Sequence, residues 1–252
     1  MKKNALITGC SKGIGKAIAI ALANRGYNII GTYNTNLEKI KKLKQEIEQG
    51  GVKFSYYKLD LLNDESIANF FCEINKKYSK IDLLVNNAAL SLDDELDNKT
   101  SKEFLDILKV NLVGPFSLIK EFKNKLNIVI NISSTDGINT YSKLNIDYSA
   151  SKAGLINLTK SLALALPNIK IVAIAPNWVE TEAIGQMDKE YLKQEMERIN
   201  QKKLIQPKEV ANKVIEILEK NIKSGEIIVM EDSNEWGTIC IRLWERNKRW
   251  NK

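Results

Sequence analysis

Residues 4–15 read Asn4-Ala5-Leu6-Ile7-Thr8-Gly9-Cys10-Ser11-Lys12-Gly13-Ile14-Gly15, and a stretch rich in Ala and Ile follows. The apolar run at 5–8 predicts a strand and residues 14–25 a helix, so the three glycines fall on a strand-to-helix junction. Glycines there let the backbone approach a pyrophosphate, while the amino terminus of the helix is aimed at its charge. Gly9, Ser11, Lys12, Gly13, Ile14 and Gly15 are therefore candidate nucleotide-binding residues. The alternative is a tight turn that binds nothing; the spacing differs from the common Gly-x-Gly-x-x-Gly.

Working outward, strand-like runs at 28–32, 53–59, 81–85, 128–132, 169–174 and 226–230 alternate with helical patterns at 37–49, 64–78, 102–122, 147–166 and from 207 onward. Such βαβ repetition predicts a single α/β domain, a doubly wound parallel sheet with helices on both faces. Residues 1–232 form that domain in this reading, and 233–252 a basic, aromatic extension. Sheets of this type bind ligands at the carboxyl ends of their strands, where strand order reverses. Asn86-Asn87-Ala88 and Ser133-Ser134 end two of the predicted strands and fall on the same edge as the glycines.

Tyr148-Ser149-Ala150-Ser151-Lys152 lies on the helix at 147–166. Residues four apart share a helix face, so the Lys152 ammonium can sit beside the Tyr148 phenol and lower its pKa. A tyrosine so placed can exchange a proton at neutral pH. Alone, the pair could equally be two residues on a solvated face.

Composition narrows the chemistry. The chain has 252 residues and no histidine, which excludes Ser-His-Asp and Cys-His hydrolases and histidine-ligated metal sites. Cys10, Cys72 and Cys240 are scattered and odd in number, against a disulfide framework or a zinc cluster. No apolar run reaches the ~20 residues of a membrane helix. The N-terminus runs directly into the first strand with no space for a signal peptide, which predicts a cytoplasmic protein. The net charge of +7 is spread over amphipathic helices, a pattern of solvated faces more than of nucleic-acid binding.

As a set, Thr8-Gly9-x-x-x-Gly13-Ile14-Gly15, Asp60, Asn86-Asn87-Ala88, Asn111, Ser134, Tyr148-x-x-x-Lys152 and Pro176-x-x-Val179-x-Thr181 resemble the short-chain dehydrogenase/reductases, most of all their 3-oxoacyl-carrier-protein reductase branch. The resemblance spans about residues 3–232 and implies a Rossmann-type fold, a homodimer or homotetramer, and no metal. It implies that Tyr148 is the general acid of carbonyl reduction and that Ser134 hydrogen-bonds the carbonyl oxygen. Lys152 and Tyr148 would hold the nicotinamide ribose, and Asn111 would anchor a water that returns the proton. Asp60 would contact the adenine, Asn87 and Ala88 would line the adenosine side, and Pro176, Val179 and Thr181 would line the nicotinamide side. Ser134 is preferred to Ser133 because Gly137 completes the family's Ser-x-x-Gly. Ala89, Asn177 and Val172 depart from the usual Gly, Gly and Asn.

Two further expectations concern the ligands. Lys12 can reach a ribose 2′-phosphate, and residues 32–36, Thr-Tyr-Asn-Thr-Asn, offer no acid for a 2′-hydroxyl, so NADP(H) is favoured over NAD(H). By resemblance the substrate is a 3-oxoacyl group on acyl carrier protein, docked on a basic surface to which Lys120, Lys123 and Lys125 belong. A sugar, polyol or other small carbonyl is the alternative substrate, and a non-catalytic NADP-binding regulatory protein the alternative class. Residues 183–203 read as an amphipathic helical segment that covers the substrate in the family. Trp236, Trp244 and Trp250 lie among basic residues in the extension, where subunit packing or disorder is preferred to nucleic-acid binding.

Overall fold

The computed structural model describes residues 2–231; the extension and its tryptophans lie outside the described residues. The chain runs β1 (Asn4–Ile7), α1 (Gly13–Asn24), β2 (Asn28–Tyr33), α2 (Leu37–Glu48), β3 (Phe54–Lys58), α3 (Asp64–Lys77) and β4 (Ile81–Asn86), then α4 (Ser101–Leu108), α5 (Gly114–Phe122), β5 (Leu126–Ile132), α6 (Ile146–Ala165), β6 (Lys170–Pro176), α7 (Lys189–Arg198), α8 (Pro207–Glu219) and β7 (Ile227–Met230). The seven strands form one parallel sheet in the order β3-β2-β1-β4-β5-β6-β7. The strand order reverses between β1 and β4, which is where such a sheet opens a crevice for a ligand.

Both faces of the sheet are covered, so its strands are apolar on both sides. One face packs Ala5, Ile7, Ile29, Val85, Ile130 and Val172 against residues of α1, α2 and α8. The other packs Leu6, Ile30, Leu84, Val129 and Ile171 with Phe70, Ile74, Leu118 and Phe122. Val172, one of the departures noted above, is fully buried in the first of these layers.

The predicted helix at 102–122 is three pieces. Between α4 and α5 the backbone takes a π turn over Lys109–Val113, and it carries Asn111 to a buried position. Hydrophobic spacing does not reveal the extra residue of a π turn, which often marks a functional site. The amphipathic segment at 183–203 is likewise a short 3-10 turn, Ile184–Gln186, followed by α7. Asp188 caps α7 by accepting from the Tyr191 N–H at 2.8 Å, and no residue of this helix is buried.

The topology also corrects the docking expectation. Lys120 and Lys123 lie at the carboxyl end of α5, which leads into the amino end of β5, where the Ile81 N–H donates to the Lys125 carbonyl. The Lys125 ammonium is tied to the Asn75 side chain at 2.7 Å and the Tyr78 carbonyl at 2.9 Å. The three lysines thus sit at the opposite end of β5 from Ser134. Seven residues at about 3.3 Å each place them roughly 20 Å away. Within one subunit they do not flank the Tyr148 site.

Candidate active site

The glycine loop is held by contacts that no larger residue would allow. Gly9 has φ +63°, and a Cβ there would lie 3.0 Å from the Ala88 Cα. A Cβ on Gly15 would lie 2.5 Å from both the Asn87 Nδ2 and the Gly9 carbonyl oxygen, and one on Gly13, at φ +54°, 3.4 Å from the Thr181 Cγ2. The loop is therefore packed directly on Asn87, Ala88 and Thr181, three of the residues expected to share a ligand with it. Thr8 secures the arrangement by accepting from the N–H groups of Asn87 and Ala88 at 2.9 and 3.0 Å. Asn87 returns its amide to the Thr8 and Gly9 carbonyls, and Thr32 accepts from the Gly9 N–H at 3.1 Å.

No side chain caps α1, and its first turn holds no acid. Its first N–H groups are the polar ones a phosphate satisfies. With the cradle left by the glycines, this fits a dinucleotide pyrophosphate. Asp60 stands just beyond β3 on the same edge and closes a local turn by accepting from the Leu62 N–H at 2.9 Å. Pro176 ends β6 opposite Met230. Val179 differs from the expectation: its side chain is buried in the main core beside Ile205, so only its main chain is left to face a ligand. Lys39, which sequence reading passed over, pairs with Glu182. Its ammonium holds that carboxyl below the usual range, and Lys12 and Lys16 act in the same direction. Lys12 of the loop, Lys16 of α1 and Lys39 of α2 thus all act on this acid, although Lys16 itself pairs with Glu46 at 3.2 Å.

Beyond β5 the two serines have different partners. The Ser133 hydroxyl donates to the Lys152 carbonyl at 3.0 Å, while the Ser134 hydroxyl interacts with the Tyr148 phenol and accepts from the Asp136 N–H at 3.1 Å. Gly137 makes this turn possible, since a Cβ there would lie 2.6 Å from the Ala153 nitrogen in α6. Asn177, the departure that follows Pro176, accepts from the Thr135 hydroxyl at 2.6 Å and so ties the turn to β6. Asn111 exchanges two bonds with the main chain of Leu90, both at 2.8 Å, and donates to the Ser151 hydroxyl at 3.0 Å. Ser151 in turn donates to the Tyr148 carbonyl at 2.6 Å. Asn111 therefore reaches the tyrosine's helix through Ser151, a link hidden inside Tyr-x-x-x-Lys.

Lys152 is engaged by the main chain of β5. Its ammonium is buried and donates to the Ile132 carbonyl at 2.8 Å, standing 5.3 Å from the centre of the Tyr148 ring. Burial pushes the lysine down to about 8, against the pull of Asp136. Burial also pushes the phenol above its ordinary range, Asp136 and Asp93 add to that, and only the Ser134 hydroxyl acts the other way. Desolvation is the largest effect on both groups, since it disfavours each charged form. Cys10, in the glycine loop, is no nucleophile: burial pushes its thiol up to about 12.

Asp136 is the titratable group that sequence reading missed. Burial pushes it up to about 6, opposed by the Ser134 hydroxyl, Arg198 and Lys152, while Glu195 adds to the rise. Folded protein therefore holds this proton more tightly than unfolded chain, and stability falls as pH rises from 3.8 to about 6. Asp136→Asn removes that penalty. Its stability relative to wild type, from urea unfolding, should be higher at pH 7 than at pH 4, and the alkaline limb of kcat/KM should move to lower pH as Tyr148 loses a neighbouring charge. An unchanged stability difference and an unmoved limb would refute the coupling.

A parallel sheet with a glycine cradle at its switch point and Ser134, Tyr148 and Lys152 beside it defines a nucleotide-dependent oxidoreductase. The chain belongs to the short chain dehydrogenase family, whose profile matches residues 3–192. It is 37% identical over 236 residues to the 3-oxoacyl-[acyl-carrier-protein] reductase FabG of Aquifex aeolicus, covering 90% of this chain and 94% of that one. The reductase of the same name from Buchnera aphidicola subsp. Schizaphis graminum is 34% identical, over 85% and 88%. Among solved structures, a dehydrogenase/reductase from Sinorhizobium meliloti superposes with a TM-score of 0.84 at 29% identity, covering 91% and 94%. An alcohol dehydrogenase from Thermococcus sibiricus, complexed with 5-hydroxy-NADP, gives 0.79 at 25%, covering 93% and 98%. The protein is thus an NAD(P)-dependent oxidoreductase. Among the described residues no helix is long and apolar enough to cross a membrane, and no cluster of three or more His, Cys, Asp or Glu could hold a metal.

Proposed function

We propose that the protein is an NADPH-dependent reductase of 3-oxoacyl thioesters, with acyl carrier protein as the bearer of the acyl group. The observation that carries this reading is the convergence of Ser134, Tyr148 and Lys152 next to the glycine cradle. The similarity to 3-oxoacyl-[acyl-carrier-protein] reductases supports the substrate. Gly9, Ser11, Lys12, Gly13, Ile14 and Gly15 would hold the pyrophosphate and its flanks, Asp60, Asn87 and Ala88 the adenosine half, and Pro176, Val179 and Thr181 the nicotinamide half. A bound reduced nicotinamide supplies the hydride. Tyr148, kept protonated by desolvation and the nearby Asp136 carboxylate, gives its proton to the carbonyl oxygen, which the Ser134 hydroxyl orients. Lys152 holds the ribose, and Asn111 fixes the helix of Tyr148 through Ser151.

NADPH is the proposed cofactor because Lys12 lies in the glycine loop, residues 32–36 offer no acid for a 2′-hydroxyl, and Lys12, Lys16 and Lys39 together make the region of Glu182 electropositive. Charged hydrogen bonds are worth about 1.5–3 kcal/mol. Lys12→Glu should therefore weaken NADPH on the order of tenfold or more while leaving NADH nearly unchanged, as read by fluorescence titration. Equal losses for both nucleotides would rule out the 2′-phosphate contact. A homo-oligomer is the proposed assembly: the exposed Val113 and Phe116 line a groove of about 320 Å³ with Leu112, Gly154 and Leu158, an apolar surface that a second copy would cover.

One observation favours the smaller, polar carbonyl as a second reading. Asp136, Glu195 and Arg198 form a mutually interacting charged group next to Tyr148, a setting better suited to hydroxyl groups than to an alkyl chain. NADPH oxidation with a 3-oxoacyl carrier protein, with acetoacetyl-CoA, and with a panel of sugars and small ketones separates the two. The proposal requires the thioesters to have the higher kcat/KM, and a lead for the small carbonyls would replace it with the second reading.

A further inference from the structure

Lys99 and Asp147 form a buried ion pair outside the set of residues considered so far. The Lys99 ammonium meets the Asp147 Oδ2 at 2.8 Å, with side chains 6% and 0% exposed, and also donates to the Leu92 carbonyl at 2.6 Å. The other carboxylate oxygen of Asp147 accepts from the Tyr148 N–H at 2.9 Å. One oxygen of this carboxylate thus meets Lys99 and the other the N–H of the residue that carries the phenol.

The backbone around Lys99 is fixed from the other side. Thr100 caps α4, accepting from the Glu103 N–H at 3.2 Å, and Glu103 accepts from the Thr100 N–H at 2.9 Å. Lys99 therefore projects from a firm helix start toward the first turn of α6. Residues 90–99 are also tied to α6 or its lead-in by the Ser91 hydroxyl to the Asn145 Oδ1 at 3.0 Å, and by the Asp94 N–H to the Leu144 carbonyl at 3.1 Å. Asn111 adds its own bonds to Leu90 and Ser151.

A buried ion pair is weak evidence for stability, because the cost of desolvating two charges offsets most of their attraction. A pair between neutral residues of similar shape would hold the fold about as well. What the charged pair provides is direction. We propose that Lys99 and Asp147 are positioning residues, which clamp residues 90–99 to the start of α6 and so fix the Tyr148 phenol against its carbonyl. The proposal rests on the assignment of Tyr148 as proton donor. Displacement by about 1 Å can cost on the order of 10²-fold in rate, so a clamp of this kind acts on turnover more than on folding.

The test compares Lys99→Met, Asp147→Asn and the double variant. Lys99→Met alone leaves an unpaired buried carboxylate and should be strongly destabilised. The double variant removes both charges while the asparagine oxygen still accepts from the Tyr148 N–H. It should melt within a few degrees of wild type and bind NADPH with unchanged Kd, yet show kcat with acetoacetyl-CoA lowered at least tenfold. Recovery of kcat together with stability would overturn the proposal, because the pair would then be structural only. A measurement on the unaltered protein is independent of how the variants fold. Amide exchange of Asp94 and Ser149, whose N–H groups donate to Leu144 and Asn145, should occur at matching rates if residues 90–99 and the start of α6 open as one unit. Exchange at Asp94 faster by orders of magnitude would also overturn it. If Tyr148→Phe stays active, the assignment beneath the proposal fails; if that variant is inactive while the double variant keeps wild-type kcat, only the clamp fails.

Discussion

Tyr148→Phe is expected to lower kcat by about 10²–10⁴-fold, the usual worth of general acid catalysis, while NADPH binds as before. The substitution deletes one hydroxyl and leaves a ring of the same shape in the same helix. It removes the group that interacts with Ser134, but none of the contacts between the glycine loop and Asn87, Ala88 or Thr181. Turnover and nucleotide affinity should therefore separate cleanly. Steady-state kinetics with a 3-oxoacyl thioester and a fluorescence titration with NADPH read the two effects. Near-normal turnover would remove Tyr148 from the chemistry, and a matching loss of NADPH affinity would mean that the variant had disturbed the site as a whole.

Gly15→Ala should do the reverse and damage the nucleotide cradle. Its methyl group would lie 2.5 Å from the Asn87 Nδ2 and from the Gly9 carbonyl oxygen, and 2.9 Å from the Cys10 Cα. Two of these neighbours are main chain, so the loop must open. The Asn87 bonds to Thr8 and Gly9, at 2.9 and 3.1 Å, would be lost with it. Overpacking of this kind costs about 1–3 kcal/mol, and each kcal/mol moves Tm by roughly 2–4 °C in a chain of this size. NADPH affinity should fall by more than tenfold, because the first N–H groups of α1 no longer converge on one point. Gly185→Ala is the control, since a Cβ there meets nothing within 4 Å. Wild-type affinity and melting in Gly15→Ala would show that the loop is an ordinary turn.

The fold was legible because its signals are periodic and its punctuation is strong. Alternating β-branched runs and amphipathic helices name a parallel sheet, and three glycines after the first strand mark where its crevice lies. The site was legible as a list of residue types in order, which is why Ser134, Tyr148 and Lys152 are found together. What stayed hidden depends on distances that sequence spacing does not encode. Four-residue spacing puts Lys152 and Tyr148 on one face, but it cannot show that the lysine is buried and that its ammonium is engaged by the Ile132 carbonyl. Asp136 and Asp147 belong to none of the sequence motifs. The first is pushed up to about 6 by burial, and the second is paired with a lysine 48 positions earlier in the chain. The π turn at Asn111 is invisible to hydrophobic spacing, and the three lysines at the end of α5 looked close to Ser134 only because the chain is short there. A helix that runs antiparallel to its strands ends at the far edge of the sheet.

In the proposed reaction this chain transfers a hydride to a carbonyl carbon with Tyr148 as the proton donor. The most direct measurement follows the label from NADPH deuterated at the transferable position of nicotinamide C4 into the product of acetoacetyl-CoA, by mass spectrometry, in wild type and in Tyr148→Phe. Wild type should place one deuterium at C3 of the 3-hydroxybutyryl product for each NADP+ formed, and Tyr148→Phe almost none over the same time with NADPH bound. Unlabelled product, or labelled product formed equally fast by both proteins, would contradict the proposed reaction.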